Sequence, residues 1–424
     1  MLCSKFVFKF HSWFTKIYQC KIKLSIIIFY YRVINLYFYR SQYYLFLLKK
    51  YYLKKKYQQN YKLVIIIWVL HSITLLHAQA FRKYSNEFLN IGADARAFGM
   101  GNTVVANISD VNAGYWNPAG LTEVKDAWQG ALMHAEYFQS IAKYEYAAAA
   151  IPINSFDNGT EGTIGFSLYR FAVDDIMNTT QLIDNQGNID YNKISRFSTA
   201  DYAFMASYAG NLFNNPDLSI GTSAKIVYRH VGNFANAFGF GLDAGLQYRT
   251  QDKFYFGLMA RDITTTFNVW SVNQKKLNKL ELDGETLNEA PKDKIELTMP
   301  KLKIGAAKKF DFDGKVGLLA ELDLNFEFDR NNDWISSDAV SMSPSLGVEF
   351  DYDNVVYVRA GLNNMQYETK FDDSRKLTIQ PNAGIGFRYK GVTIDYALTN
   401  IGNSSVALYS NIFSVKIDMA KFSK

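Results

Sequence analysis

From Trp128 onward the chain repeatedly sets a nearly pure apolar face against a face of glycine and charge, with a period of two residues. In residues 238–249, Phe238, Phe240, Leu242, Ala244, Leu246 and Tyr248 fall on one side, and Gly239, Gly241, Asp243, Gly245, Gln247 and Arg249 on the other. Residues 315–327 set Val316, Leu318, Ala320, Leu322, Leu324 and Phe326 against Gly317, Leu319, Glu321, Asp323, Asn325 and Glu327. Residues 355–364 set Val356, Val358, Ala360 and Leu362 against Tyr357, Arg359, Gly361 and Asn363. Period two is the mark of a strand with two unlike faces. Each run is close to the roughly 9–11 residues that a tilted strand needs to cross a bilayer. In lipid, a sheet must close on itself so that no backbone edge is left unpaired. The pattern therefore predicts a transmembrane barrel, apolar outside and polar within.

Candidate strands begin near Gln129, Ala142, Gly162, Asp201, Leu218, Phe238, Phe254, Lys301, Lys315, Ser343, Val355, Pro381, Val392 and Ser405, about 14 in all. An even number closes an antiparallel barrel with both ends on the periplasmic side. The connections agree, because short turns at 251–253, 310–314, 351–354 and 390–391 alternate with longer loops at 172–199, 264–300, 329–342 and 364–379. Short periplasmic turns and long outer loops are the outer-membrane arrangement. The expected fold is all-β, an antiparallel transmembrane barrel over residues 128–424 preceded by a segment at 81–127, located in the cell outer membrane.

Composition matters where it divides the chain. Residues 1–80 hold 13 of the 46 Lys and Arg and no Asp or Glu, so the remainder has 46 − 13 = 33 basic against 40 acidic residues, a net charge of −7. All glycines and prolines follow residue 80, and both cysteines, Cys3 and Cys20, precede it. Lys54, Lys55, Lys56 and Lys62, the apolar run 63–76 and Ala78-Gln79-Ala80 read as the three parts of a cleaved signal peptide at 54–80. Residues 1–53 follow no consistent period, and we read them as a mis-assigned upstream extension.

The remaining chain carries no anchor for catalysis. It has only His134 and His230 and no thiol, so neither a cysteine-based nor a clustered histidine metal site is expected. GMGNTV and FGFGLDAG contain Gly-x-Gly outside any strand-to-helix turn, and no nucleophile, zinc or phosphate-loop motif is present. The expectation is a protein that is not an enzyme, with no cofactor, and its acidic balance argues against a nucleic-acid partner. Lys225, Arg229, Asp243, Arg249, Arg261, Glu321, Asp323, Glu349, Arg359, Arg388 and Asp395 fall on the lumen face in both signs, which predicts ion pairs across the lumen more than a selective pore. Tyr137, Phe138, Tyr248, Tyr255, Tyr352 and Tyr389 lie near strand ends, as aromatic girdles against lipid require.

One run fits neither helix nor strand: IGADARAFGMGNTVVANISDVNAGYWNPAGL, residues 91–121. It resembles the N-terminal signature of the PorV/PorQ family of Bacteroidetes outer-membrane proteins, within the wider FadL-like group. The resemblance rests on Gly92, Ala95, Arg96, Gly99, Met100, Gly101, Ala106, Asp110, Trp116, Asn117, Pro118, Ala119, Gly120 and Leu121. It implies a 14-stranded barrel of the type IX secretion system, a carrier or accessory that takes cargo at the translocon and binds its C-terminal signal domain. The contact surface would be the extracellular loops, above all 264–300. The competing implication is a FadL-like transporter of hydrophobic small molecules, gated by an N-terminal hatch that carries the same Asn-Pro-Ala motif. By its small residues and its place before the first strand, the run is expected to be a lumen plug, with Asn117-Pro118 turning the chain toward the barrel.

Overall fold

The computed structural model describes residues 85–424 apart from 138–139, 157–159, 185, 278–279, 283–284, 288–293, 370–372, 401–409 and 423–424. The expected signal peptide and upstream extension lie outside the described residues, as do Phe138 and the expected strand start at Ser405.

Fourteen antiparallel strands close into a barrel. They are β1 (Gln129–Tyr137), β2 (Ala142–Phe156), β3 (Thr160–Asn178), β4 (Ser195–Asn211), β5 (Leu218–Val231) and β6 (Ala235–Arg249), followed by β7 in two pieces (Phe254–Arg261 and Thr266–Val272) and β8 in two pieces (Ile295–Thr298 and Lys301–Phe312). β9 (Val316–Glu327), β10 (Ser341–Tyr352), β11 (Val356–Thr369), β12 (Arg375–Tyr389), β13 (Val392–Thr399) and β14 (Ser410–Asp418) complete the ring. Closure is explicit, because β1 pairs with β14 from Gln129↔Asp418 to Glu136↔Asn411. The breaks in β7 and β8 sit side by side. Asp262 and Thr265 take positive φ, and Pro300, which has no N–H to donate, interrupts β8.

The alternation sorts as physics requires. On β6, Phe238, Phe240 and Tyr248 are exposed, while Ala237, Asp243 and Gln247 are buried. Leu132, Phe166, Phe204, Ile226, Val358 and Phe413 continue the outward apolar surface around the ring. At the periplasmic end, Trp128, Tyr248, Phe254, Phe312, Tyr352 and Tyr389 are exposed, which forms one lipid-interface girdle. Two expected girdle residues depart from it. Tyr255 lines an internal cavity, and Tyr137 packs against the interior cluster with its ring 6.4 Å from that of Tyr144. Both hold inward positions in the alternation.

Tyr389↔Val392 pairing leaves the two-residue turn Lys390-Gly391, with φ of 44° and 83°. Two positive φ values are what a tight hairpin needs to match strand twist. On the opposite side the strands run on past the apolar band. β3 and β4 reach Asn178 and Ser195, and β11 and β12 reach Thr369 and Arg375, so the outer loops at 172–199 and 364–379 are shorter than expected. The expected loop 264–300 likewise contains strand at both ends and a small hairpin, Leu280–Leu282 with Glu285–Leu287.

Candidate functional site: the occupied lumen

Residues 85–124 lie inside the barrel, hydrogen bonded to inward side chains from all around the ring. Two short helices, α1 (Ala95–Gly99) and α2 (Ala113–Trp116), and two 3-10 turns (Glu87–Asn90 and Pro118–Glu123) provide what regular structure there is. So little helix leaves many backbone groups unpaired, and a buried unpaired N–H or C=O is costly. The strand side chains meet this need.

On β9, Asp323 accepts from the N–H groups of Val104 and Val105 at 3.1 and 3.3 Å, and Glu321 accepts from Ala106 N–H at 2.7 Å and from the Asn107 amide. On β6, the Gln247 amide donates to the carbonyls of Val105 and Ile108 at 3.1 and 3.0 Å. On β7, Arg261 donates to the carbonyls of Leu89 and Tyr115 at 3.1 and 2.8 Å, with its guanidinium 4.2 Å from the Tyr115 ring centre. On β14, Ser414 accepts from Ala95 N–H and donates to Asp94, and Lys416 pairs with Asp110.

Arg96 forms a two-point contact with Glu349 at 2.8 and 3.0 Å, and Glu349 also receives Arg359 at 2.6 Å. Arg359 in turn reaches Asp395 at 2.7 Å. This is a continuous chain from the segment through β10 and β11 to β13. Arg249 pairs with Glu123 at 3.0 Å. The charges expected to pair across the lumen instead meet adjacent strands or the segment, because the segment occupies the space between. Lys225 with Asp243 and with Asp262 in the β7 break, and Arg229 with Asp201 and Glu296, are pairs within the wall.

The motif residues are brought together by backbone proximity. Asn117 caps the 3-10 turn by accepting from Ala119 N–H at 3.3 Å, and its amide donates to the Val105 and Leu246 carbonyls at 3.0 and 3.1 Å. Pro118 opens the turn, where a missing N–H is harmless. Trp116 is buried and donates to the Ala93 carbonyl at 2.8 Å. A Cβ on Gly120 would stand 2.2 Å from the Ile108 carbonyl oxygen, and one on Gly101 would stand 2.9 Å from Leu362 N. Gly99 meets Gly384 of the wall, and Met100 lies fully buried against Gly347 and Gly361. The wall glycines are the counterpart that the sequence reading did not assign. Cβ atoms at Gly221, Gly257 and Gly361 would fall 2.3 Å from Pro118, 2.3 Å from Val105 and 2.1 Å from Met100. Lys416, Ser414 and Gln247 were also missing from the expected site, although each sits on an inward position of its strand.

Below the segment, at the periplasmic end, is a cavity of about 530 Å³ lined by Arg96, Asp110, Arg249, Glu349, Tyr357, Arg388 and their neighbours. Arg388 is placed there, beside the fastenings of the segment but not among them.

A closed antiparallel barrel with an apolar outer band, short turns on one side and extended strands on the other is an outer-membrane protein. Solved structures similar to it include two toluene transporters and a FadL homologue. The toluene transporter TodX of Pseudomonas putida matches with a TM-score of 0.47 and 14% identity over 77% of this chain and 98% of its own. The toluene transporter TbuX of Ralstonia pickettii has a TM-score of 0.44 and 11% identity, and a FadL homologue of Pseudomonas aeruginosa 0.41 and 11%, each over 77% of this chain and 98% of its own. No protein-family model matches the chain, and no curated protein sequence matches it.

Proposed function

We propose that this barrel acts at its extracellular face, as a carrier or accessory of type IX secretion that binds the signal domain of a secreted protein and hands it on for surface attachment. The observation that supports the reading is the occupied lumen. Residues 91–121, whose sequence resembles the PorV/PorQ signature, are fastened to the wall by buried charged and polar side chains on β6, β7, β9, β10 and β14. A passage for solutes would have to break these contacts, whereas docking on strands that extend past the membrane would leave them intact. On this reading the protein performs no covalent chemistry.

A second reading makes the lumen a route for a hydrophobic small molecule, which is the activity that the names of TodX and TbuX carry. It is favoured by the inner surface of β1 to β4, where Met133, Tyr144, Tyr146, Tyr169 and Met205 are buried against Phe88, Leu89, Tyr115 and Trp116. If the segment withdrew, these side chains would line an apolar path.

Deletion of the gene separates the two. Loss of surface-attached proteins bearing type IX signal domains is expected, with toluene uptake unchanged. Normal surface attachment together with reduced uptake would replace the first reading with the second.

A further inference from the structure

Neither reading uses the periplasmic cavity. Strand direction places it at the mouth, since Tyr255, Tyr357 and Arg388 each lie one residue inside the periplasmic end of their strands. Its size, about 530 Å³, is within the usual range of small-ligand sites, roughly 300–1,000 Å³.

Most of its cations are already engaged. Arg96 is held by Glu349 at 2.8 Å, Lys416 by Asp110, Arg249 by Glu123 at 3.0 Å and Lys309 by Asp351 at 3.4 Å. Arg388 differs, because among the described residues it has no carboxylate partner. Its Nε donates to Thr393 Oγ1 at 3.3 Å, and its guanidinium lies 5.0 Å from the Tyr357 ring centre. These two contacts fix the guanidinium plane and leave its two terminal nitrogens for an incoming acceptor. Lys421 lines the same cavity, 3.6 Å from Asp418. Burial, and then the neighbouring Arg388, lower its pKa.

The rest of the lining selects among anions. Asp110, Glu123, Asp126, Glu349 and Asp418 also face the cavity and repel a polyvalent anion. A single carboxylate attached to an uncharged body meets the arginine fork without that cost. Tyr255 supplies most of the apolar lining for such a body, with edges of the nearly buried Tyr357 and Leu319 beside it.

We infer that this cavity binds the free carboxylate terminus of a peptide from the periplasm, with the carboxylate on the terminal nitrogens of Arg388 and the preceding side chains against Tyr357, Tyr255 and Leu319. The inference does not depend on which activity the barrel serves at its outer face.

The test uses the purified full barrel in detergent, with acetyl-Ala-Leu-Phe carrying a free carboxylate as the probe and its C-terminal amide as the control, followed by calorimetric titration. The acid is expected to bind and the amide to bind at least about tenfold more weakly. Arg388→Ala should weaken the acid about tenfold, and Arg388→Lys less, with heat-modifiable migration on gels unchanged. Should Arg388→Ala disturb the barrel, Lys421→Ala, beyond the last strand, should still weaken the acid about threefold through lost local field. Equal binding of acid and amide, full affinity in Arg388→Ala or in a folded Lys421→Ala, displacement by inorganic phosphate at the same concentration, or no binding of the acid would each overturn the inference.

Discussion

At the residue scale, the arginines of the lumen face hold geometry more than they create a field. Arg359 shows how. Its side chain is 1% exposed and bridges Glu349 and Asp395 at 2.6 and 2.7 Å, with Glu349 also receiving Arg96. Arg359→Met would leave two carboxylates in one buried neighbourhood short of a cation. Breaking a buried pair from one side costs about 3–5 kcal/mol. The expected outcome is a clear drop in the temperature at which the folded band shifts on a heat-modifiability gel, and an unchanged midpoint would show that water screens the site. Asp94 offers a pH test outside the strands. Burial, with the Asp395 carboxylate nearby, raises its carboxyl from 3.8 to about 6, and Ser414 donates to it. Because the folded-state pKa lies above the unfolded one, the stabilising contribution is fully present below pH 3.8 and is lost as pH rises through about 6. Thermal stability should therefore fall between about pH 4 and pH 6 and level off above, by an amount on the order of 3 kcal/mol. Asp94→Asn should remove that slope, and the positive φ of 74° at this position suits asparagine. A slope that survives in Asp94→Asn would assign the titration to another group.

At the scale of elements, the segment and the wall are matched by absence of side chains. Gly221, Gly257 and Gly361 face inward where the backbone of residues 100–119 passes, and a Cβ at any of them would collide with main-chain atoms, which cannot rotate away. Gly361→Val should push the Met100 region off β11 while leaving the outer face of the barrel untouched. Limited proteolysis within residues 95–121 and entry of large antibiotics should both increase, and resistance to both would show that the segment can repack. Asn117→Ala removes a cap and two amide donors to buried carbonyls, a loss of about 1–3 kcal/mol, and should act in the same direction more weakly. This scale also shows what could be read from sequence. The strand starts at Gln129, Ala142, Leu218, Phe254 and Val392 agree with the structure because there the lipid face and the lumen face differ in every second residue. The extensions of β3, β4, β11 and β12 were missed because strands beyond the bilayer need no apolar face, so period two fades while pairing continues. The second piece of β7 was hidden in residues 264–300, read whole as a loop. The wall glycines were visible as glycines, but their purpose depends on the path of a segment that has almost no regular structure and so no period. Lys416 and Ser414 followed from alternation once β14 was placed.

At the scale of the whole molecule, the question is whether residues 85–124 move. Their fastenings come from the whole circumference, so a partial withdrawal would strand buried acceptors such as Glu321 and Asp323 without their donors, whereas a fixed segment costs nothing. The chain itself supplies a clean way to ask. Residues 81–424 contain no cysteine, so an introduced pair is the only disulfide that those residues can form among themselves. Gly114 in α2 faces β3, and a Cβ built there lies 3.3 Å from Ser167 Oγ, within reach of a disulfide between the two positions. Gly114→Cys with Ser167→Cys should therefore tie the segment to the wall with little distortion. If the barrel works by docking at its extracellular face, the oxidised variant should deliver surface proteins as the parent does, and reduction should change nothing. A lumen that conducts hydrophobic molecules would instead be blocked by the bond and reopened by dithiothreitol. Measuring toluene uptake and surface attachment on the same cells, before and after reduction, decides between them: reductant-dependent uptake with reductant-independent attachment would mean that the segment is a moving gate, and the docking reading would then have to give way to transport.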